Sequence, residues 1–287
     1  QAGGWFPSIA FVGDLDDDGA GPDALVGSNN RCWVYRSAGT NADGSPRFAD
    51  AVAVQAGGKD IVLTNPRFDC ADVDGDGDLD LFAGTQPGPV YFFKNTGTRS
   101  KPEFAPGEVI AWQGKYLISD AHSGVKIGDF DGDGLPDIVS GRFWERADLN
   151  TDDARRDFGG FWKNLGSRTS ARFVRQTNGA PFTEQFQICD AVRQNCVRAV
   201  DWDDDGKLDL LAGDTDGLIS LFRNEGDPLF PVFKQGERLR VADKPLSVAA
   251  TGGHARFAVC DWNNDGRKDL IVADASGTVT LFPNRGS

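Results

Sequence analysis

Short apolar runs alternate with tight polar turns along this chain, and the alternation repeats. Asp80-Leu-Phe-Ala-Gly84 followed by Val90-Tyr-Phe-Phe-Lys-Asn95-Thr-Gly97 returns as Asp209-Leu-Leu-Ala-Gly213 with Ile219-Ser-Leu-Phe-Arg-Asn224-Glu-Gly226. It returns again as Asp269-Leu-Ile-Val-Ala273 with Val279-Thr-Leu-Phe-Pro-Asn284-Arg-Gly286. Runs this short, bounded by Gly, Asn and Asp, predict strands rather than helices. Each unit reads as a first strand, an Asp-rich loop, a strand ending in Gly, a short turn and an aromatic strand. An Asn-x-Gly turn and a Phe-containing fourth strand, such as Phe233 to Val241, complete it. The Asp-rich loops begin at Asp14, Asp72, Asp129, Asp201 and Asp261, spaced 58, 57, 72 and 60 residues apart. From that first Asp to the turn residue is 23 positions in four units (to Ser37, Asn95, Asn224 and Asn284) and 35 in the third, to Asn164.

Four antiparallel strands in a unit of roughly 50 residues describe one β-propeller blade, and such a sheet buries both faces only against neighbouring copies. The expected fold is therefore all-β: one domain over residues 1–287, a five-bladed β-propeller of four-stranded antiparallel blades. The repeats fall at about 1–57, 58–115, 116–187, 188–247 and 248–287. The fifth unit stops three residues after Asn284, short of a fourth strand. Three outcomes are open there: a three-stranded blade, irregular completion by Gln1 to Phe6, or further repeats in a longer protein.

The loops carry the most specific chemistry. Side chains at positions 1, 3 and 5, a Gly that permits a sharp turn and a later Asp converge oxygens on one point, as a hard cation requires. The ligand number favours Ca²⁺ over Mg²⁺. The sets are Asp14, Asp16, Asp18 and Asp23; Asp72, Asp74, Asp76 and Asp80; Asp129, Asp131, Asp133 and Asp137; Asp201, Asp203, Asp205 and Asp209; and Asp261, Asn263, Asp265 and Asp269. The first loop carries one extra residue, at Ala20-Gly21-Pro22, and the fifth has a neutral Asn263. An EF-hand is excluded, because position 12, where it needs Glu, is Leu25, Ala83, Ser140, Ala212 or Val272.

Composition supports this reading. Gly at 36 of 287 residues, with 20 Phe and 7 Trp, suits many strands joined by tight turns. The net charge of −13 would suggest a basic partner, but 19 of the 43 acids are candidate ligands of the loops. Five bound Ca²⁺ would take the formal charge to about −3, so no nucleic-acid partner is implied. Cys189 and Cys196, seven apart, could close a loop disulfide, whereas Cys32, Cys70 and Cys260 fall in strands as free thiols or bridges. No membrane-spanning run or signal peptide is visible. Met is absent even at position 1, so the chain is expected to start after processing or to be cut from something longer. Loops of modest affinity suit a secreted, extracellular, periplasmic or cell-surface setting, where calcium is abundant.

Asp-x-Asp-x-Asp-Gly-x-x-Asp-Leu, a strand ending in a small residue and Gly, and an Asn-x-Gly turn together resemble the FG-GAP/VCBS repeat family, whose calcium-loop blades also occur in integrin α-subunits. Val200-Asp-Trp-Asp-Asp-Asp-Gly-Lys-Leu-Asp-Leu-Leu-Ala-Gly213 is similar to bacterial VCBS propellers, found in secreted polysaccharide lyases and cell-surface binding proteins. The resemblance implies that side chains 1, 3, 5 and 9 and the carbonyl of position 7 bind Ca²⁺. It also implies weaker binding at Asn263 and altered geometry at Asp23.

Propellers place the strand 1–2 loops on one face and the 2–3 and 4–1 connections on the other. The Asp loops are then expected to stabilise blades, and a ligand site is expected opposite them. There the third unit has about 12 extra residues, from Gly141 to Gly159, bearing Arg142, Trp144, Glu145, Arg146, Arg155 and Arg156. Arg fits carboxylates and sulfates, and Trp offers a face for sugar rings. A surface excursion pairing its own charges is the alternative. His122 and His254, the only histidines, each precede the first Asp of a loop by seven residues; Arg256 and Arg67 occupy matching positions, and Tyr116 precedes His122 by six. Two functions follow. One is a binding module for a carbohydrate or another extracellular ligand. The other is a polysaccharide lyase that uses His122, His254, Tyr116 and Arg256 on a uronic-acid polymer. A purely structural domain of a larger surface protein is the third reading.

Overall fold

The structure is a computed structural model. It describes residues 8–20, 23–41, 46–85, 88–119, 125–140, 156–158, 160–175, 196–214, 216–226, 231–233, 236–248, 253, 255–262, 265–274, 276 and 278–286. The chain is all-β, a five-bladed propeller, and the described residues contain no helix.

The first blade comprises β1 (Ser8–Gly13), β2 (Asp23–Ser28) and β3 (Arg31–Tyr35). A side hairpin of β4 (Ser37–Thr40) and β5 (Pro46–Phe48) precedes the outer strand β6 (Val52–Ala53), and the hairpin β7 (Gln55–Ala56) and β8 (Lys59–Asp60) follows it. The second contains β9 (Arg67–Ala71), β10 (Asp80–Gly84), β11 (Gly88–Phe93), β12 (Glu108–Val109), β13 (Ala111–Trp112) and β14 (Lys115–Ser119). The third is β15 (Val125–Gly128), β16 (Asp137–Ser140), β18 (Gly160–Asn164) and β19 (Phe173–Arg175), with β17 (Arg156–Phe158) leaving it to pair parallel with β14. The fourth is β20 (Cys196–Val200), β21 (Asp209–Gly213), β22 (Ile219–Phe222) and β23 (Glu237–Arg238), followed by the hairpin β24 (Arg240–Val241) and β25 (Lys244–Pro245). The fifth has three strands: β26 (Arg256–Cys260), β27 (Asp269–Ala273) and β28 (Val279–Phe282). The expectation of uniform four-stranded blades is thus corrected at the second and fifth.

First strands β1, β9, β15, β20 and β26 follow one another side by side. Among the described residues, each of the four gaps between consecutive blades holds its own core. Leu25, Cys32, Phe68 and Leu81 fill the first, and Phe82, Val90, Ile138 and Trp162 the second. Phe130, Phe161 and Leu210 fill the third, and Leu211, Ile219, Phe257 and Val272 the fourth. Successive residues of β10 and β21 point into different gaps, which is why these strands are apolar on both faces and buried throughout. Polar latches also cross between blades. Asn224 Nδ2 donates to the Phe130 carbonyl at 3.1 Å, and Arg99 donates to the Asp14 carbonyl at 2.8 Å.

The fourth strand departs from the expected run of Phe233 to Val241. Phe233 makes only an isolated bridge to Asn224, and regular pairing starts at Glu237. Gly236, just before that strand, packs on the third strand: a Cβ there would come within 2.6 Å of the Phe222 ring. Gly107 lies against Phe93 in the same way, with a would-be Cβ at 2.5 Å. The chain then reverses in two-residue turns with positive φ at Gly57-Gly58, Gln113-Gly114 and Ala242-Asp243.

Candidate metal centres and the opposite face

Every Asp-rich loop joins the first and second strands of its blade, and its ninth-position Asp begins the second strand. That Asp is buried: Asp80, Asp137, Asp209 and Asp269 are at most 1% exposed. One carboxylate oxygen accepts the N–H of loop position 2, from Val73, Phe130, Trp202 or Trp262, at 2.9–3.3 Å. The other accepts the N–H of the turn Asn, from Asn95, Asn164, Asn224 or Asn284, at 2.7–2.8 Å. One side chain therefore pins the loop, the second strand and the end of the third. Asp23 does the same in the first blade, accepting from Leu15 at 3.2 Å and Ser37 at 2.7 Å, so the inserted residue leaves this position's role intact.

First-position carboxylates shape the loops. Asp72 accepts from Gly75 at 2.7 Å and Gly77 at 3.1 Å; Asp129 accepts from Gly132 at 2.7 Å and Gly134 at 2.8 Å. Asp201 and Asp261 take the N–H groups of Gly206 and Gly266 at 3.1 and 2.8 Å. The loop Gly residues hold positive φ, +93° at Gly77 and +83° at Gly134, which a Cβ would strain. Fifth-position Asp76, Asp133, Asp205 and Asp265 each accept a backbone N–H two residues on.

Four clusters result in which one oxygen per residue lies within 4.8 Å of the others: Asp14, Asp16 and Asp18; Asp72, Asp74 and Asp76; Asp129, Asp131 and Asp137; and Asp201, Asp203 and Asp205. These can hold a metal ion. Asn263 lies outside the described residues, and Asp261 and Asp265 are exposed. The donors are all oxygens, and some are short of partners: the buried Oδ1 atoms of Asp14, Asp16 and Asp74 accept no hydrogen bond. Asp74 itself is 9% exposed. That chemistry fits a hard cation.

Burial makes the ion-free loops electrostatically uncomfortable. It pushes the Asp80 carboxyl up to about 6 and the Asp137 carboxyl up to about 8, against partial compensation from the backbone N–H groups. Burial likewise raises Asp16, Asp131 and Asp209. Asp78, a position-7 acid that the spacing argument passed over, rises to about 6 through burial and the charge of Asp76. Sequence reasoning also passed over a basic partner for position 3. Arg36, Lys94, Lys163 and Arg223 pair with Asp16, Asp74, Asp131 and Asp203. Its signal is one residue, just before the turn Ser or Asn.

Of the residues expected opposite the Asp loops, His122, His254, Arg142, Trp144, Glu145, Arg146 and Arg155 lie outside the described residues, as does Cys189. Tyr116 sits in β14 directly opposite Arg156 of β17, so the end of the third unit's long loop docks beside it. Arg67 and Arg256 hold one register, each opening a first strand opposite the last residue of the second, Gly84 or Ala273. Arg67 donates to Asn65 Oδ1 at 3.0 Å. Cys32, Cys70 and Cys260 are free thiols. Between the first two blades lies a cleft of about 960 Å³; Leu15, Leu79 and Asn95 line it from the Asp-loop side, not from the face where a ligand site was expected. Leu25, Val34, Val54 and Phe104 line it, with Gln55, Lys101 and Glu103 among its polar groups. No helix of the described residues is long and apolar enough to cross a membrane.

An all-β propeller with an Asp-rich loop in each blade defines the class. Within it, this chain carries FG-GAP-like repeats, matched at residues 72–140 and 201–272. A search of the curated proteins found no match. Among solved structures it is similar to an Agrocybe aegerita lectin described as recognising non-reducing terminal N-acetylglucosamine. That match has 19% identity and a TM-score of 0.44, over 96% of this chain and 65% of the other. The Photorhabdus luminescens Tc holotoxin pore matches at 18% identity and TM-score 0.43, over 96% of this chain and 14% of that one. A rhamnogalacturonan lyase matches at 12% identity and TM-score 0.34, over 93% of this chain and 51% of its own. The chain thus spans less than two thirds of each of these relatives.

Proposed function

We propose that this chain is a calcium-stabilised propeller that serves, in a secreted or extracellular setting, as a binding module for a carbohydrate or another extracellular ligand. The observation that carries the calcium part is Asp74. It is nine-tenths buried in a cluster of three loop carboxylates, with an oxygen that accepts no hydrogen bond. Buried carboxylates are costly unless charge compensates them. Lys94 reaches only the other oxygen of Asp74; bound Ca²⁺ would supply charge to positions 1, 3 and 5 together. The chain's own residues do the rest: ninth-position Asp residues fix the loop to two strands, and loop Gly residues allow the turn.

Binding is supported by the inter-blade cleft, whose size falls in the range of small-ligand sites and whose lining joins apolar surface to a few polar groups. The lyase reading turns on His122 and His254, which lie outside the described residues. Two measurements test the proposal. A calcium chelator should lower the melting temperature by roughly 10 °C or more, as expected for loss of several structural ions; an unchanged melting temperature would remove the calcium reading. Glycan-array binding that weakens on Glu103→Ala and Lys101→Ala supports the cleft. Rising ultraviolet absorbance on incubation with uronic-acid polysaccharide would instead favour the lyase.

A further inference from the structure

The residue just before the turn Ser or Asn is basic in four units (Arg36, Lys94, Lys163 and Arg223) and Pro283 in the fifth. Each of the four reaches the third-position Asp of its own loop. Arg36 lies 3.1 Å from Asp16, while Lys94, Lys163 and Arg223 touch Asp74, Asp131 and Asp203. Lys163 goes furthest, for its ammonium also lies 2.8 Å from Asp133 Oδ2. It thus bridges positions 3 and 5, the two carboxylates that a bound cation would share. In the fifth unit both halves of the pair change together: Asn263 replaces the third-position acid, and Pro283 replaces the base. The chain's own repeats therefore keep acid and base as a unit, or lose both.

We propose that Arg36, Lys94, Lys163 and Arg223 are built-in counter-cations that hold the third-position carboxylate while a loop is empty and oppose calcium entry, so that they set the calcium affinity of their loops. This rests on the calcium reading above. In the ion-free loop the base offsets the charge of a carboxylate taken out of water, and breaking such a pair leaves that charge uncompensated. In a loaded loop the same positive charge would face a dication and repel it. Even in a water-like dielectric that repulsion is worth about tenfold in affinity. The base therefore stabilises the empty state and weakens the filled one, a combination suited to millimolar calcium.

The test uses the full chain with Lys163→Met and Arg223→Met, which keep an apolar stem and remove the charge. Lys59→Met, on an exposed hairpin, controls for net charge. Calcium is titrated by calorimetry, and melting temperature is read in chelator. Each loop variant should tighten one site by about tenfold; Lys163→Met, whose partner Asp131 is fully buried, should also melt lower than wild type in chelator, while Lys59→Met should do neither. Arg223 is half-exposed, so its variant keeps the test alive if Lys163→Met fails to fold. In chelator, Asp203→Asn and Arg223→Met should combine non-additively, because each removes the same pair. Wild-type protein that binds no calcium would bring down the calcium reading and this inference with it. Wild-type protein that binds calcium, with both variants unchanged or weaker, would overturn this inference alone.

Discussion

Asp209 shows how much one side chain does here. Its two oxygens accept the N–H of Trp202 at 3.1 Å and of Asn224 at 2.7 Å, and the residue is 1% exposed. Asp209→Ala leaves both donors without that acceptor, which should cost about 2–5 kcal/mol. Urea unfolding in chelator checks this, with Asp205→Ala, on the exposed side of the same loop, expected to cost far less. Equal losses would show that the ninth-position Asp is no pin. A pH dependence follows from Asp137, whose carboxyl burial lifts from 3.8 to about 8. Between those values the folded, ion-free protein keeps a proton that the unfolded chain has lost, so stability must fall as pH rises through that window. In chelator the melting temperature should therefore be higher at pH 5 than at pH 8, and saturating calcium, which competes with the proton, should flatten the trend. A chelator-treated protein that gains stability from pH 5 to 8 would contradict it. At this scale the spacing made the acids legible, because five copies repeat them. It did not reveal the basic partners, since a Lys or Arg before a turn looks like any solvated charge until the fold brings it back onto position 3.

Second strands such as β10 and β21 were legible as elements because burial on both faces makes their runs continuously apolar. The outer strands were not. A two-residue strand such as β23 carries no readable period, and the Gly236 that precedes it lies against Phe222. Gly236→Ala would force a Cβ to within 2.6 Å of that ring, and overpacking of this kind should cost about 1–3 kcal/mol in chemical denaturation. A neutral result would mean that the outer strand moves freely off the blade. The return hairpins escaped notice for a related reason. Ala242-Asp243 takes positive φ at both residues, 47° and 64°, with neither the Gly nor the Asn that would advertise such a turn. The parallel pairing of β17 with β14 was also hidden, because it joins a loop of the third unit to a connection of the second, and sequence spacing says nothing about which loops meet.

For the molecule as a whole, the repeat period gave the blade count, and the inter-blade cores explain why: each gap needs two blades to close it. The last blade is where this logic has a visible consequence. Val90 and Ile219 are 0% exposed under Ile110 and Leu239, which donate backbone N–H groups back to them at 2.9 Å. Val279, at the same register of β28, is 64% exposed, and Leu281 is 36% exposed. Among the described residues β28 pairs only with β27, so its opening breaks one ladder where opening β22 breaks two. Local opening needs less free energy where fewer hydrogen bonds and less apolar burial must be given up. The amides of Val279–Phe282 should accordingly exchange with deuterium at least roughly tenfold faster than those of Ile219–Phe222 under native conditions. Because calcium would act at the opposite end of the strands, adding it should slow both segments and leave the ranking unchanged. Equal protection of the two segments would show that a strand does cover β28, and the propeller would then be closed at its fifth blade by chain that these three strands do not supply.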